Sequence, residues 1–303
     1  MYQTILVPFD GSPLSARALP VASELARRAR ATLHLVTVHD PSAYIPFVPG
    51  EVAIPIYDAD VVSVRREQDQ AALDDAVAAL RRDGVEATGT LIEGTIVEAL
   101  AERAQSIGAS LTVMTTHGRS GFERLRLGSV TTAYLTRATN PVLIVRGAGS
   151  AETPVLPSGA LLCPLDGSPF AERILPHART FAELIGMSLA LTAISVPRAI
   201  PMAPFGAEAL LADDDSLRDE EEGREQYLAR IAQSCPPGTT VNAVTDMTVA
   251  PAIVTEAMRA SAGAIAMATH GRGGFKRLLL GSVADEVLRH SSLPMLLYRP
   301  ESK

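Results

Sequence analysis

The sequence predicts an α/β protein made of two tandem doubly wound domains, each a five-stranded parallel sheet flanked by helices. Three observations lead to this prediction. The chain has 303 residues, which corresponds to two domains at about 150 residues each. Apolar runs typical of buried strands alternate with segments of helical periodicity, a pattern typical of a parallel sheet covered on both faces. The sequence also repeats itself.

The repeat is clearest in a glycine-rich segment. Residues 116–130 read THGRSGFERLRLGSV and residues 269–283 read THGRGGFKRLLLGSV, which gives 12 identities in 15 positions at an offset of 153. Near the start of each copy, LVPFDGSP at 6–13 matches LCPLDGSP at 162–169 at an offset of 156. Such similarity indicates two copies of one domain.

The domain boundaries follow from where the similarity stops. The end of the first copy, 140–144, matches 293–297 at the offset of 153. We therefore expect one domain over residues 1–147 and a second over 158–300. Residues 148–157 between them are rich in small residues and proline, which is typical of a linker.

The first half of copy one predicts two strands and two helices. Residues 4–8 are too continuously apolar for a half-exposed strand, and residues 32–38 form a second β-rich run. Between them, residues 15–30 place apolar side chains at three- and four-residue spacing, which predicts a helix. A longer helical pattern covers 59–82 and is closed by Gly84.

The second half continues the alternation. Strands are predicted at 85–92, 111–116 and 142–146, with helices at 96–106 and 127–137 between them. Because crossovers between parallel strands are right-handed, these elements form a doubly wound sheet.

Composition excludes several classes of protein. A net charge of -7 argues against a nucleic-acid surface, which needs an excess of Lys and Arg. No run of about 18 apolar residues occurs, and the N-terminus lacks the basic segment of a secretory signal, so we expect a cytoplasmic protein without a membrane partner. Cys163 and Cys235 are too few for a disulfide framework or a metal site.

Candidate ligand-binding residues are those that follow the predicted strands. In an open doubly wound sheet, ligands bind outside the carboxyl ends of the strands where the strand order reverses. These residues are Asp10, Val38 and 115–118 in copy one, and Asp166, Ile194 and 268–271 in copy two.

A helix start preceded by glycine completes each candidate site. Gly128-Ser129 and Gly281-Ser282 each open a predicted helix, where unpaired N–H groups and the helix dipole favour a phosphate. Basic side chains that add positive charge nearby are Arg119, Arg124 and Arg126 in copy one, and Arg272, Lys276 and Arg277 in copy two.

This arrangement resembles the universal stress protein family. Nucleotide-binding members carry a glycine, two residues, a second glycine, nine residues, and then Gly-Ser or Gly-Thr. In copy one, nine residues separate Gly118 from Gly128-Ser129, and in copy two nine separate Gly271 from Gly281-Ser282. The resemblance covers the chain almost from end to end and implies Rossmann-like domains of the adenine nucleotide alpha hydrolase-like type.

The chain departs from the family pattern at the first glycine. Thr115 stands there in copy one and Ala268 in copy two. The β-branched threonine intrudes further toward a ligand than a single methyl group does. We therefore expect two unequal sites, with copy two the tighter.

The resemblance implies a site for ATP, with magnesium held through the phosphates. The sequence itself shows no catalytic residue and no dedicated set of metal ligands. The resemblance assigns the adenosine to Asp10, Val38, Asp166 and Ile194, and the triphosphate to Gly118, Gly128, Ser129 and Val130 and to Gly271, Gly281, Ser282 and Val283. The remaining residues expected beside the nucleotide are Pro8, Phe9, Met114, Thr115, Arg119, Thr131, Pro164, Leu165, Met267, Ala268, Arg272 and Ala284.

Each of these residue types also has a purely structural interpretation. Glycines serve tight turns, the arginines can form a solvated face, and His117 and His270 lack a partner nucleophile and can serve to position their loops. Asp10 and Asp166 precede helix starts and can act as helix caps.

Three functions remain open at this point. The first is a stress-response or signalling module whose state depends on bound ATP, the second a nucleotide-free assembly protein, and the third a slow ATPase. In the family, contact through the fifth strand makes homodimers, so we expect the copies to pair through 142–145 and 295–297, with further dimerisation of whole chains.

Overall fold

The computed structural model describes residues 2–40, 59–115, 128–146, 155–197, 214–269 and 281–300. The chain divides into two compact units, Met1–Leu156 (unit 1) and Pro157–Lys303 (unit 2). Within the ranges just given, no helix is both long and apolar enough to cross a membrane.

Unit 1 contains a five-stranded parallel sheet with helices between the strands. The strands lie in the order β3-β2-β1-β4-β5, and each neighbouring pair is parallel. The elements are β1 (Thr4–Pro8), α1 (Pro13–Ala16), α2 (Ala18–Ala29), β2 (Thr32–His39), α3 (Ala59–Arg82), β3 (Ala87–Glu93), α4 (Ile96–Ser106), β4 (Leu111–Thr115), α5 (Ser129–Leu135) and β5 (Val142–Val145).

Unit 2 repeats this architecture. Its strands lie in the order β10-β9-β6-β7-β8, again all parallel. The elements are β6 (Ala160–Pro164), a 3-10 helix (Ala171–Ile174), α6 (Leu175–Ile185), β7 (Ser188–Ser195), α7 (Asp214–Ala232), β8 (Thr240–Thr245), α8 (Val249–Arg259), β9 (Ala262–Ala268), α9 (Ser282–His290) and β10 (Met295–Tyr298). The predicted fold of two tandem doubly wound domains is confirmed.

The single helix predicted over 15–30 is wrong in one respect, because it is two helices. α1 ends at Ala16 and α2 begins at Ala18. Pro20 has no N–H to donate to the carbonyl of Ala16, so the α-helical hydrogen-bond ladder is broken there. In unit 2, Pro176 has the same effect between the 3-10 helix and α6.

A buried polar cluster holds α5 against β4 in unit 1. The hydroxyls of Thr112 and Tyr134 lie 2.9 Å apart, and the amide of Asn140 donates to Thr112 Oγ1 at 2.9 Å. Burial raises the pKa of Tyr134 to about 12, so its hydroxyl keeps its proton and remains a donor. In unit 2, the apolar Ile265 and Val287, both fully buried, replace Thr112 and Tyr134.

Candidate functional site

The carboxyl ends of three neighbouring strands meet at one end of each sheet. In unit 1, β1 lies between β2 and β4, and in unit 2, β6 lies between β7 and β9. The chain leaves β1 toward β2 on one side and later places β4 on the other, so strand order reverses here. The structure therefore brings Asp10, Val38 and Thr115 to one end of the sheet, where such folds bind ligands.

In unit 1, the Asp10 side chain shapes the loop after β1. Its Oδ1 accepts a hydrogen bond from the Ser12 N–H at 3.0 Å. Ser12 in turn caps α1, because its Oγ accepts from the Ser15 N–H at 3.1 Å. The helix cap is therefore Ser12, and Asp10 orders the turn that presents it.

Unit 2 uses the same construction. Asp166 Oδ1 accepts from the Ser168 N–H at 2.9 Å, and Ser168 Oγ accepts from the Ala171 N–H at 3.1 Å. Asp166 is exposed, whereas Asp10 is half-buried. Both copies thus place a carboxylate at the end of the sheet where strand order reverses.

The helix that follows the glycine-rich segment starts without a side-chain cap in both units. Gly128 precedes α5 and Gly281 precedes α9, and neither offers a side-chain acceptor to the first turn. Ser129 and Ser282, the first residues of these helices, are exposed. An uncapped helix start of this kind is where folds of this class can bind an anion such as a phosphate.

The two glycines differ in backbone conformation. Gly128 has a φ of -57°, which any residue can adopt. Gly281 has a φ of 76°, in the region that glycine adopts far more easily than other residues. The helix starts of the two units therefore differ in backbone conformation.

The side chain of Thr131 has a structural partner in unit 1. Its Oγ1 donates to the carbonyl oxygen of Thr115 at 2.9 Å, and both residues are buried. This bond joins the first turn of α5 to the end of β4. In unit 2 the corresponding residues are Ala284 and Ala268, which cannot form it.

Exposure separates the predicted contact residues into two groups. Half-buried or exposed residues, which have surface to offer a ligand, are Pro8, Asp10, Val38, Gly128, Ser129, Val130, Asp166, Ile194, Ala268, Gly281, Ser282 and Val283. Residues that are buried, and so have little surface to offer a ligand, are Phe9, Met114, Thr115, Thr131, Pro164, Leu165, Met267 and Ala284. The main-chain N–H groups of Phe9 and Leu165 extend the strand ladders, bonding to Val36 and Thr192.

Part of the predicted site lies outside the described residues. This applies to Gly118, Arg119, Gly271 and Arg272, to His117 and His270, and to Arg124, Arg126, Lys276 and Arg277. Their roles stay predictions. In the part of the chain that the structure describes, no three His, Cys, Asp or Glu side chains group closely enough to hold a metal ion.

Two side-chain pairs at these sheet ends were not anticipated from the sequence. In unit 1, buried His39 at the end of β2 pairs with Asp69 of α3, with Nδ1 and Oδ2 3.1 Å apart. In unit 2, the Tyr227 hydroxyl on α7 donates to Glu172 Oε1 at 2.9 Å. No local pattern signals either pair, because each joins residues 30 or 55 positions apart.

Comparison with known proteins agrees with the repeat. The model of the universal stress protein family matches residues 1–146 and again 159–299. The chain belongs to the universal stress protein family. A universal stress protein of Mycolicibacterium smegmatis is 28% identical over 309 residues, covering 98% of this chain and 97% of that protein.

Solved universal stress proteins match either nearly the whole chain or about half of it. A universal stress protein from Archaeoglobus fulgidus covers 98% of each chain with a TM-score of 0.69 and 20% identity, which shows the same tandem fold. A universal stress protein solved in complex with cAMP is 28% identical over 48% of this chain and 98% of its own, with a TM-score of 0.35. The complex with cAMP is a property of that protein.

Proposed function

We propose that this universal stress protein binds ATP, with magnesium carried by the phosphates, and acts in the cytoplasm as a nucleotide-dependent stress-response or signalling module. One observation carries the proposal. Each unit places an uncapped glycine-serine helix start and a carboxylate-ordered loop at the end of the sheet where strand order reverses.

Charge indicates which part of a nucleotide each group of the site would contact. The first turn of α9 offers N–H groups and an exposed Ser282 hydroxyl, which suit a phosphate. Asp166, a carboxylate, would repel phosphates and instead suits the hydroxyl and amino groups of a nucleoside. The same argument assigns Asp10 and the half-buried Val38 to the nucleoside in unit 1.

In this proposal, magnesium binds through the phosphates of the nucleotide. Mg²⁺ commonly keeps several waters and binds through substrate phosphates with one or two carboxylates. No carboxylate is assigned to the ion, because Asp10 and Asp166 are assigned to the nucleoside. When bound, the ion would neutralise part of the triphosphate charge.

Unit 1 offers a matched pair of variants that tests the proposal. Gly128→Ala adds only a methyl group at a φ of -57° that alanine tolerates. Gly128→Asp adds a carboxylate at the same place and repels a phosphate. We expect calorimetry with ATP and magnesium to show binding to the parent and weaker binding in Gly128→Asp than in Gly128→Ala.

A nucleotide-free assembly role is the second candidate, and one observation in unit 1 favours it. The Thr131 hydroxyl donates within the protein and Thr115 is buried, so two predicted contact residues serve the fold. If well-folded parent protein takes up no ATP in calorimetry and carries none when purified, this second function replaces the first.

A further inference from the structure

Helices α3 and α7 approach the first loop of their units through corresponding residues. Leu73 of α3 and Leu228 of α7 are both fully buried. The residue before each is Ala72 in unit 1 and Tyr227 in unit 2. A Cβ built on Gly11, beside Asp10, would lie 3.4 Å from the Ala72 Cβ. Ala72 therefore faces the loop after β1.

Tyr227 reaches the equivalent loop of unit 2. Its hydroxyl bonds to Glu172, in the 3-10 helix that Ser168 caps. A Cβ built on Gly167, the counterpart of Gly11, would meet no atom of the described residues within 4 Å. Among the described residues, the loop of unit 2 thus lacks the packing contact that the loop of unit 1 makes with α3.

The Tyr227 ring is held in place but keeps accessible surface. Glu172 fixes its hydroxyl, and the guanidinium of Arg230 lies over one face, 5.8 Å from the ring centre. The side chain is half-buried. Burial raises the pKa of Tyr227 above its usual range, and the charges of Glu172 and Asp166 add to this shift. The phenol therefore stays protonated and bonded to Glu172 at neutral pH.

The surroundings of the ring select which part of a nucleotide it can contact. Glu172 bonds to its hydroxyl, and the charge of Asp166 also acts on it, so the phosphates are repelled from this place. The hydroxyl is already committed to Glu172, which leaves the aromatic surface. An aromatic surface stacks on a nucleobase.

We propose that Tyr227 is a specificity-determining residue of the unit 2 nucleotide site, that its ring forms a wall for the base, and that Glu172 holds the ring there. Unit 1 lacks this wall because Ala72 stands at the equivalent position. The inference rests on the proposed nucleotide function and adds a base-contacting residue to it.

The test compares ATP with ribose 5-triphosphate, which has no base, in a Gly128→Asp background that silences unit 1. Tyr227→Ala should weaken ATP binding about tenfold, since a base–aromatic stack contributes roughly that much. The affinity for ribose 5-triphosphate should be unchanged. Tyr227→Phe keeps the ring and should bind ATP within about threefold of its parent.

Each outcome separates this inference from the proposed function. If the Gly128→Asp chain binds neither ligand, nucleotide binding by unit 2 is wrong and the inference is wrong with it. If it binds ATP and Tyr227→Ala binds ATP equally well, or loses both ligands equally, only the inference is overturned. Tyr227→Leu preserves bulk without the aromatic face, so it repeats the test if Tyr227→Ala fails to fold by circular dichroism.

Discussion

The hydroxyl of Thr131 donates to the main-chain carbonyl of Thr115 at 2.9 Å and so ties the first turn of α5 to the last residue of β4. The bond is buried, and a buried carbonyl left without a donor is costly. Ala284 and Ala268 occupy the equivalent positions of unit 2. The two units therefore position their glycine-serine helix starts by different means.

Removing this hydroxyl should destabilise unit 1. Thr131→Val keeps the shape of the side chain but removes this donor to the Thr115 carbonyl, and we expect a loss of about 1 kcal/mol in the free energy of unfolding. Thr131→Ser keeps the hydroxyl and is the matched control. Urea denaturation measures the difference, and equal loss in both variants would assign the effect to packing rather than to the hydrogen bond.

The glycines before α5 and α9 should respond differently to alanine. Gly281 has a φ of 76° and Gly128 a φ of -57°. With a ψ of 132°, the Gly281 conformation is nearly confined to glycine and costs other residues roughly 1 to 3 kcal/mol, so Gly281→Ala should lower the thermal midpoint clearly. Gly128→Ala should change stability by less than about 0.5 kcal/mol. Similar midpoints for the two variants would contradict the conformational difference.

The two nucleotide sites should be unequal, with unit 2 the tighter. Copy two has Ala268 in place of Thr115, and Lys276 in place of Glu123 beside the expected phosphates. Two unit charges at contact distance in water interact by about 1 kcal/mol. We therefore expect the dissociation constants for ATP at the two units to differ roughly fivefold.

Matched variants at the two exposed serines measure this difference. Ser129→Glu and Ser282→Glu each place a carboxylate in the first helical turn. There it interacts favourably with the positive end of the helix dipole but repels a phosphate. ATP titration of each variant reports the remaining site. Equal affinities would remove the inequality, and tighter binding by Ser282→Glu would reverse the order.

Stability should fall as the solution becomes acidic. Burial lowers the pKa of His34 below its ordinary 6.5, and the Arg103 charge adds to this. Burial also lowers the pKa of His177. The unfolded chain then binds more protons than the folded one, so the stabilisation is complete above 6.5 and is lost as pH falls through the lowered folded pKa.

A neutral replacement isolates the histidine contribution. In urea denaturation from about pH 7 to about pH 5, the parent should lose stability and His34→Gln should lose less. His290, which is exposed at the end of α9, provides a control in His290→Gln. A His34→Gln profile parallel to that of the parent would contradict the assignment.

The pairing of the two copies remains a prediction from the sequence. β5 and β10 are each the outermost strand of their own unit, and unpaired strand edges seek partners. Hydrogen–deuterium exchange of the full chain should show slow exchange for the amides of β5 and β10. Rapid exchange of every second amide along both strands would mean that these edges face solvent.

Much of the fold could be predicted because its signals are local or repeated. The apolar run at 4–8 became β1 with the same bounds, and the periodicity at 59–82 became α3. The helix predicted over 15–30 is two helices, because Pro20 interrupts the hydrogen-bond ladder beneath a continuous apolar stripe. The identity of the Ser12 and Ser168 caps likewise depended on loop geometry that Asp10 and Asp166 organise.

The sequence by itself determined the duplicated architecture, the family and the places where a nucleotide site should lie. The repeat, the strand periodicity and the motif spacing that indicate them can all be read along the chain without knowing which residues are in contact. Only the tertiary structure decided which of the expected contact residues have surface to offer, and that Thr131 is bonded to Thr115 while Tyr227 reaches Glu172. These relationships join side chains from different helices and strands. They depend on how the helices pack on the sheet, and no local pattern encodes that packing.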